Sequence, residues 1–380
     1  MAIYFDHAAT TPMRLEVVEA MVGVMKEEFG NPSSIHSFGR TAKKLLNDSR
    51  KIVADTMAVC EREIVFTSGG TESDNTAIIE TAFARAHIGK HLITTQIEHP
   101  AVLHAFEYLE HVHDFEVTYL PVNEQGELSV ESLRQALRKD TTLVSVMYTN
   151  NEIGNFSPIR AIGELLANHS AYFHVDAVQA VGLEAIYPHE LKIDLLSASA
   201  HKFNGPKGVG FLFVNNNVSL PARMIGGQQE EKRRAGTENL PGIVGMAKAL
   251  EILTPEVKVE QRKKEKELNR LLLEKLKEAN IRFSINGSKN RSTHIVNLHI
   301  HGVPSDLLLM NLDLKGFAVS TGSACTAGTV DPSHVLCAMH GKEHVAIKES
   351  IRVSFGYENT IEEVECLAQA IIEITERFQR

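Results

Sequence analysis

The stretch that decides the fold is AYFHVDAVQAVGLEAIYPHELKIDLLSASAHKFNGPKGVGFLFV, residues 171–214. It holds three apolar segments of strand length: AYFHV (171–175), DLLSAS (194–199) and VGFLFV (209–214). Four more strands are predicted upstream, at IVFT (64–67), HLITT (91–95), EVTYL (116–120) and TLVSVM (142–147), and helices at 73–87, 100–111, 129–138 and 158–168. This alternation predicts βαβ units, and therefore an α/β fold with a mostly parallel sheet that is covered on both faces.

The pattern changes after Pro255. Residues 256–279 predict a long amphipathic helix, with its leucines on one face and a charged face that is best read as solvated. Strands are then expected at 294–300, 316–319 and 350–355, and a last helix near 360–377. These elements predict a second, smaller α+β domain.

Composition excludes several classes of protein. The chain has 380 residues, of which 43% are hydrophobic and 23% charged, as in ordinary globular proteins. A net charge of −9 argues against direct nucleic-acid binding. We expect no membrane span, because no apolar run reaches the necessary length of about 18 residues, and no secretory signal. The four cysteines form no C-x-x-C pair. A cytoplasmic location is therefore expected.

Two polar residues follow predicted strands in the deciding stretch. Lys202 lies in SAHKFNGPKG, among small residues that would let a flat ligand approach the backbone. A partly desolvated lysine can form a Schiff base, although a lysine in such a segment, taken alone, is more often an ordinary surface residue. Asp176 ends its strand, where α/β sheets bind ligands. It could pair with a pyridine nitrogen, or it could cap the next helix.

The segment SGGTESDN (68–75) follows a strand and opens a helix. Gly69 and Gly70 allow close backbone approach, Thr71 adds a hydroxyl, and a helix N-terminus favours an anion. The segment has neither the spacing nor the lysine of a Walker loop. It is therefore either a phosphate cradle of another kind or a plain glycine turn.

Three further residues occupy similar positions. His99 follows a strand and could stack on an aromatic ligand or serve a structural role. Asn151 follows the strand near 142–147. Arg352 lies on an apolar strand and needs an anionic partner, which a substrate carboxylate or an internal acidic residue would supply.

Cys325 differs from the other cysteines. It lies in VSTGSACTAGTVDP (319–332), a segment of small and polar residues typical of an exposed loop, and is therefore a candidate nucleophile. Cys60 and Cys366 are expected to be packing residues, and Cys337 similarly. No H-E-x-x-H or paired ligand spacing occurs, so no dedicated metal site is expected, and no G-x-S-x-G elbow suggests a hydrolase.

Together, in order and spacing, the motifs resemble those of the NifS/IscS-like cysteine desulfurases, in the class-V aminotransferase family of fold type I pyridoxal-phosphate enzymes. The matching segments extend over nearly the whole chain: YFDHAATTP (4–12), GNPSSIH (30–36), TSGGTESDN (67–75), EHPAV (98–102), NNEIG (150–154), HVDAVQ (174–179), SAHKFNGPKG (199–208), RAGTEN (234–239), STGSACT (320–326) and SIRVSFG (350–356).

The resemblance implies a role for each candidate residue. Lys202 would bind pyridoxal 5'-phosphate and move substrate protons, and Cys325 would attack the substrate sulfur. The other cofactor contacts would come from His99 on the ring face, Asp176 at the ring nitrogen, Gln179 at the phenolic oxygen, and Gly70, Thr71, Ser199 and His201 near the phosphate. Thr237 would reach the phosphate of a neighbouring subunit, which implies a homodimer. Asn151 and Arg352 would hold the substrate carboxylate.

The implied reaction converts L-cysteine to L-alanine and leaves a persulfide on Cys325. The sulfur would pass to an acceptor protein, either an iron–sulfur scaffold or a tRNA-thiolation sulfurtransferase. Two alternatives stay open. A selenocysteine lyase or another aminotransferase-like enzyme would not need Cys325, and a sulfur-relay subunit without activity would release no alanine.

The implied architecture places a seven-stranded pyridoxal-phosphate-binding domain at 14–254. The small domain would comprise 1–13 and 255–380 and carry a mobile cysteine loop at 320–332. His7 and Thr321 stand where related sequences often have Asn and Ser. The chain also ends soon after its last predicted helix, whereas some relatives have a longer tail that docks iron–sulfur scaffolds. This makes a tRNA-thiolation partner an equal expectation.

Overall fold

The computed structural model describes residues 2–322 and 332–378, together with the backbone of 325–326 and 329–330. Its strands are β1 Ile3–Tyr4, β2 Ile64–Thr67, β3 His91–Thr95, β4 Glu116–Leu120, β5 Thr141–Ser145, β6 Tyr172–Asp176, β7 Leu195–Ser199, β8 Gly210–Val214, β9 Phe283–Asn286, β10 Ile295–Ile300, β11 Phe317–Ala318, β12 Cys325–Thr326, β13 Thr329–Val330 and β14 Ser350–Ser354. Its helices are α1 Leu15–Glu27, α2 Ser37–Met57, α3 Gly70–Asn75, α4 Thr81–Arg85, α5 Pro100–His113, α6 Val130–Ala136, α7 Ile159–Leu166, α8 Leu240–Ile252, α9 Pro255–Glu278, α10 Ser305–Leu314, α11 His334–His340, α12 Ala346–Glu349 and α13 Ile361–Phe378.

The large sheet contains the seven strands that the sequence predicts between residues 64 and 214. Their order is β2-β8-β7-β6-β5-β3-β4. Strand β8 runs antiparallel to both of its neighbours, and the other strand pairs are parallel. The interior strands are buried along nearly their whole length because helices cover both faces; only Tyr172, at the start of β6, is partly exposed. Because β6 and β7 are parallel neighbours, their carboxyl ends lie at the same edge of the sheet, which is where this type of fold binds ligands.

A second apolar cluster lies around the three-stranded antiparallel sheet β14-β10-β9. Helix α9 contributes Leu268, Leu272 and Leu276 to it, and α13 packs beside α9. The N-terminal strand β1 pairs in parallel with β11, and Phe5 is buried in the same cluster. The first residues of the chain thus pack with its last third.

Six helices were not assigned from the sequence: α1, α2, α8, α10, α11 and α12. Helices α1 and α2 both pack against α8, so their apolar faces are covered by a segment about 200 residues away in sequence. Between α3 and α4 the chain continues helically through a π turn, Thr76–Glu80. No helix in the described part of the chain is long and apolar enough to cross a membrane.

The prediction that Cys60 and Cys366 are packing residues is wrong, because both are exposed. Cys60 precedes a surface 3₁₀ turn at Glu61–Glu63. Cys366 lies on α13 but outside the stripe formed by its buried residues, such as Val364 and Leu367. Neither thiol therefore reaches the core.

Candidate active site

A cavity of about 590 Å³ opens at the carboxyl ends of β6 and β7. Ten of the predicted site residues line it: Gly70, Thr71, His99, Asn151, Asp176, Gln179, Ser199, His201, Lys202 and Arg352. These residues come from six separate stretches of the chain, so only the fold brings them together. The cavity wall also includes Ser320, Thr321 and Gly322, where the cysteine loop begins.

Two predicted residues stand apart from this group. Thr237 is exposed and does not line the cavity. The side chain of Cys325 lies outside the described residues, although its backbone forms the short strand β12.

Lys202 ends the 3₁₀ turn Ala200–Lys202, which follows β7 directly. Its Nζ donates hydrogen bonds to the carbonyl oxygens of Ala8 and Ala9, at 2.6 and 2.9 Å. Burial, and secondarily the positive charge of Arg352, lower the pKa of the amine to about 8. A substantial fraction of the amine is therefore neutral, and so nucleophilic, in mildly alkaline solution.

Asp176 is the last residue of β6, and only 5% of its surface is exposed. Its Oδ1 accepts a hydrogen bond from the amide of Val178, at 2.9 Å. Burial raises the pKa of Asp176, whereas His99, the Val178 amide and Lys202 lower it. A cationic group in the cavity would stabilise the ionised carboxylate further.

Behind Asp176 lies a buried acidic cluster, formed by Asp74 and Glu98, that sequence reasoning missed. Burial, followed by the charge of Asp176, raises the pKa of Asp74 well above its ordinary value. Burial raises the pKa of Glu98 to about 8. Both residues occur inside motifs quoted above, SGGTESDN and EHPAV, but nothing in the sequence shows that their side chains point inward.

His174 completes the layer beneath the site. Its Nδ1 lies 2.8 Å from Ser145 Oγ and its Nε2 lies 3.0 Å from Ser197 Oγ. The nearest oxygen of Asp74 is 3.6 Å from Nε2. Because burial lowers the pKa of His174 to about 3, the ring is neutral and the contact with Asp74 is not an ion pair.

His99 caps α5, because its Nδ1 accepts a hydrogen bond from the Ala101 amide at 3.1 Å. The side chain is accessible from the cavity, while the surrounding protein desolvates it and lowers its pKa. The ring is therefore neutral and is held in place by its cap. A flat ligand between His99 and the sheet could stack on the ring.

The opposite end of the cavity has the features of an anion cradle. Gly69 has φ +145°, which an L side chain rarely adopts, and a Cβ on Gly70 would lie 2.7 Å from Val178 Cγ2. Both positions therefore need glycine, and the backbone stays accessible to a ligand. Ser199 and His201 face the same space, and burial lowers the pKa of His201 to about 4.

Arg352 has internal partners. Its Nη1 donates to the carbonyl oxygen of Asn151 at 2.8 Å, and its Nη2 donates to Asp6 Oδ1 at 2.7 Å. Of the two partners that the sequence left open for this arginine, the structure contains the internal acid. Its buried Nε has no hydrogen-bond partner among the described residues.

Comparison with known proteins indicates the same type of enzyme as the geometry of the cavity. The aminotransferase class-V family model matches residues 3–367. The putative cysteine desulfurase IscS 1 of Bacillus subtilis (strain 168) is 51% identical over 377 residues, covering 99% of each chain. Among solved structures, a NifS-like protein has a TM-score of 0.92 and 34% identity, covering 99% of this chain and 100% of that one. SspA, solved in complex with cysteine, has a TM-score of 0.82 and 35% identity, covering 93% of this chain and 98% of that one. The chain therefore belongs to the class-V aminotransferase family and, within it, to the NifS/IscS-like cysteine desulfurases.

Proposed function

We propose that this chain is a pyridoxal-phosphate-dependent enzyme that converts L-cysteine to L-alanine and leaves the sulfur as a persulfide on Cys325. One observation carries the proposal: a lysine with a lowered pKa, a buried aspartate, an anion cradle and an arginine meet in one cavity. Membership of the cysteine desulfurase family supports the choice of substrate, and a structural relative was solved with cysteine.

The residues present fit pyridoxal phosphate. Lys202 would hold its aldehyde carbon, Asp176 its ring nitrogen, Gln179 its phenolic oxygen and His99 its ring face. The phosphate would lie against Gly70, Thr71, Ser199 and His201, where an added Cβ would fill the space. When bound, the cofactor supplies an electron sink that makes the Cα proton of an amino acid acidic.

The residues of the chain itself would orient the substrate and move its protons. Arg352 and the loop of Asn151 would hold the carboxylate, with Asp6 fixing the guanidinium at 2.7 Å. Lys202 would serve as the base that moves the Cα proton, because it lines the cavity and its Nζ is held there by the Ala8 carbonyl at 2.6 Å. A pKa near 8 suits a group that must take up and return a proton near neutral pH.

The sulfur step belongs to Cys325. Its thiolate would attack Sγ of the substrate, so that an S–S bond forms as the Cβ–Sγ bond breaks. The electron pair of the broken bond returns to the substrate, and protonation at Cβ and Cα completes alanine. Because the loop leaves the cavity wall at Gly322, Cys325 lies only three residues from the site along the chain.

The decisive test uses the purified holoenzyme with L-cysteine and a thiol reductant. Alanine and sulfide are quantified together for the wild type, Cys325→Ala, and the control Cys366→Ala, which removes an exposed thiol. The wild type and Cys366→Ala should give equal amounts of both products, and Cys325→Ala should give neither. Turnover of Cys325→Ala at the wild-type rate would instead indicate a lyase, and no alanine from the wild type would refute the desulfurase.

A homodimer is part of the same proposal. Thr237 is exposed, so it can reach a second molecule but not the cavity of its own chain. Arg234, three residues before it, is tied to the cradle helix through Glu72, with Nε–Oε1 at 2.8 Å. If Thr237 serves a neighbouring subunit, mixed dimers of Thr237→Ala and Lys202→Ala chains should form one intact site per dimer. Light scattering and cofactor absorbance measure both expectations.

The sulfur acceptor, the location and the domain limits complete the proposal. An iron–sulfur scaffold or a tRNA-thiolation sulfurtransferase would receive the persulfide, and transfer of ³⁵S from Cys325 to each purified acceptor distinguishes them. Three described cysteines are free, which suits a reducing cytoplasm. Separate apolar clusters support a large domain at 14–254 and a small one at 1–13 and 255–380.

A further inference from the structure

A cluster of metal-ligating side chains lies in the small sheet, and none of its members lines the active-site cavity. It consists of His299, His301 and Glu349. Each residue offers one ligand atom, and these atoms all lie within 4.8 Å of one another. The H-x-H pair and the glutamate are 48 residues apart in sequence, so the spacing rules applied to the sequence could not find them.

The fold explains why these residues meet. His299 lies on β10 and faces Ser350 of β14 in the antiparallel register. Glu349 ends α12, directly before β14, so its side chain lies beside the last residues of β10. Its Oε2 accepts hydrogen bonds from His299 Nε2 and from the Gly302 amide, both at 2.9 Å. The carboxylate is therefore oriented before any ligand arrives.

The distances suit a small cation after slight rearrangement. Zn²⁺ bonds of 2.0–2.1 Å in tetrahedral geometry place ligand atoms about 3.3 Å apart, within the 2.9 to 4.8 Å found here. The imidazoles of His299 and His301 pack with ring centroids 4.1 Å apart, which is unfavourable for two protonated rings.

A surface groove connects the cluster with solvent. His301 lines a surface groove beside Ser284 and Ile285, so an ion can reach the cluster from solvent. The groove also carries Lys277 and Arg282, so attraction of a cation must come from Glu349 and the imidazole lone pairs.

We propose that His299, His301 and Glu349 bind one transition-metal ion of the Zn²⁺ class, with water completing the tetrahedron. On binding, His299 would coordinate through Nε2 as the neutral tautomer with its proton on Nδ1, so that the hydrogen bond to Glu349 is exchanged for a bond from each residue to the ion. The ion would join the end of β10 to the start of β14, three residues before Arg352. It would stabilise the strand pair that carries the substrate-binding arginine.

The test is a Zn²⁺ titration of the holoenzyme against a chromophoric chelator, with Co²⁺ absorbance as a second readout. Wild type should bind one ion per chain with a tetrahedral Co²⁺ spectrum. Glu349→Gln, which can still accept from the Gly302 amide, and His301→Ala should each weaken binding about tenfold or more. Each variant should retain desulfurase activity, which shows that it is folded.

The control is His111→Ala, because His111 is an exposed histidine whose Nε2 lies 4.0 Å from Glu110 Oε2, a histidine–glutamate pair of ordinary surface type. Cys325→Ala tests whether the catalytic thiol captures the ion. Binding that survives both cluster variants, or that is lost in His111→Ala or Cys325→Ala, would overturn the assignment. The absence of stoichiometric binding to wild type would overturn it as well.

Discussion

Replacing Glu98 by glutamine should reduce the loss of unfolding free energy that the protein suffers as the pH rises. Glu98 is fully buried, and its Oε1 accepts from Thr95 Oγ1 at 2.7 Å and from the Met147 amide at 3.0 Å. Its Oε2 has no hydrogen-bond partner among the described residues. Burial raises the pKa of Glu98 to about 8, and the charge of Asp176 acts in the same direction. The glutamine variant keeps the shape and the two accepted hydrogen bonds but has no proton to lose.

The magnitude follows from proton linkage. An unfolded glutamate loses its proton near pH 4.5, whereas folded Glu98 keeps it up to about pH 8. Within this window the folded state binds more protons than the unfolded state, so stability falls as pH rises. At about 1.36 kcal/mol per pKa unit, the loss between pH 5 and pH 8 amounts to roughly 3.5 kcal/mol. Glu98→Gln should be spared this loss.

The assay is urea unfolding of the cofactor-free protein at pH 5, 6, 7 and 8, for the wild type and the variant. The difference in unfolding free energy should grow in favour of the variant by about 3 to 4 kcal/mol across that range. Glu107→Gln removes an exposed carboxylate on α5 and controls for the change in net charge. Parallel curves for wild type and Glu98→Gln would refute the buried, protonated state of this residue.

Two further predictions rest on single buried groups. Reductive methylation of Lys202 by formaldehyde in the cofactor-free protein can be followed by mass spectrometry. The extent of methylation should rise with pH about a midpoint near 8, because burial lowers the pKa of the Lys202 amine to about 8. A midpoint near the ordinary lysine value of about 10.4 would contradict the buried position. Glu230→Gln should cost about 3 to 5 kcal/mol of unfolding free energy in urea, because Glu230 pairs with Arg50 at 2.6 Å and their side chains are only 2% and 13% exposed. The double variant Arg50→Met, Glu230→Gln should lose less, since no buried cation remains, and an equal or greater loss would argue against this explanation.

The sequence was sufficient to predict the seven strands of the large sheet, because their apolar segments are short, separated and mostly buried on both faces, whereas β1 and β9 were not assigned. Lys202 and Asp176 could be found for a related reason: each follows a strand at the edge where α/β folds bind ligands. Cofactor roles came from motifs that match a family. What could be predicted thus depended on features contained within a few neighbouring residues.

What the sequence could not show are contacts between distant segments. The partner of Arg352 is Asp6, 346 residues away, and only the pairing of the N-terminus with the small sheet brings them together. The cluster of His299, His301 and Glu349 depends on strand register in the same way. The inward direction of Glu98 is likewise set by packing, since its neighbour His99 in the same motif is accessible from the cavity.

The buried acidic cluster explains why one carboxylate, rather than three, carries charge at the site. Asp74, Glu98 and Asp176 are all desolvated, and each raises the cost of ionising the others. Asp176 alone has a cationic neighbour, Lys202, and an amide donor at 2.9 Å. The first proton lost from the cluster therefore belongs to Asp176, and its negative charge keeps Asp74 and Glu98 protonated. A single negative charge then faces the cavity at the end of β6, with two neutral acids behind it. A cationic ring nitrogen would meet that charge without competition from its neighbours.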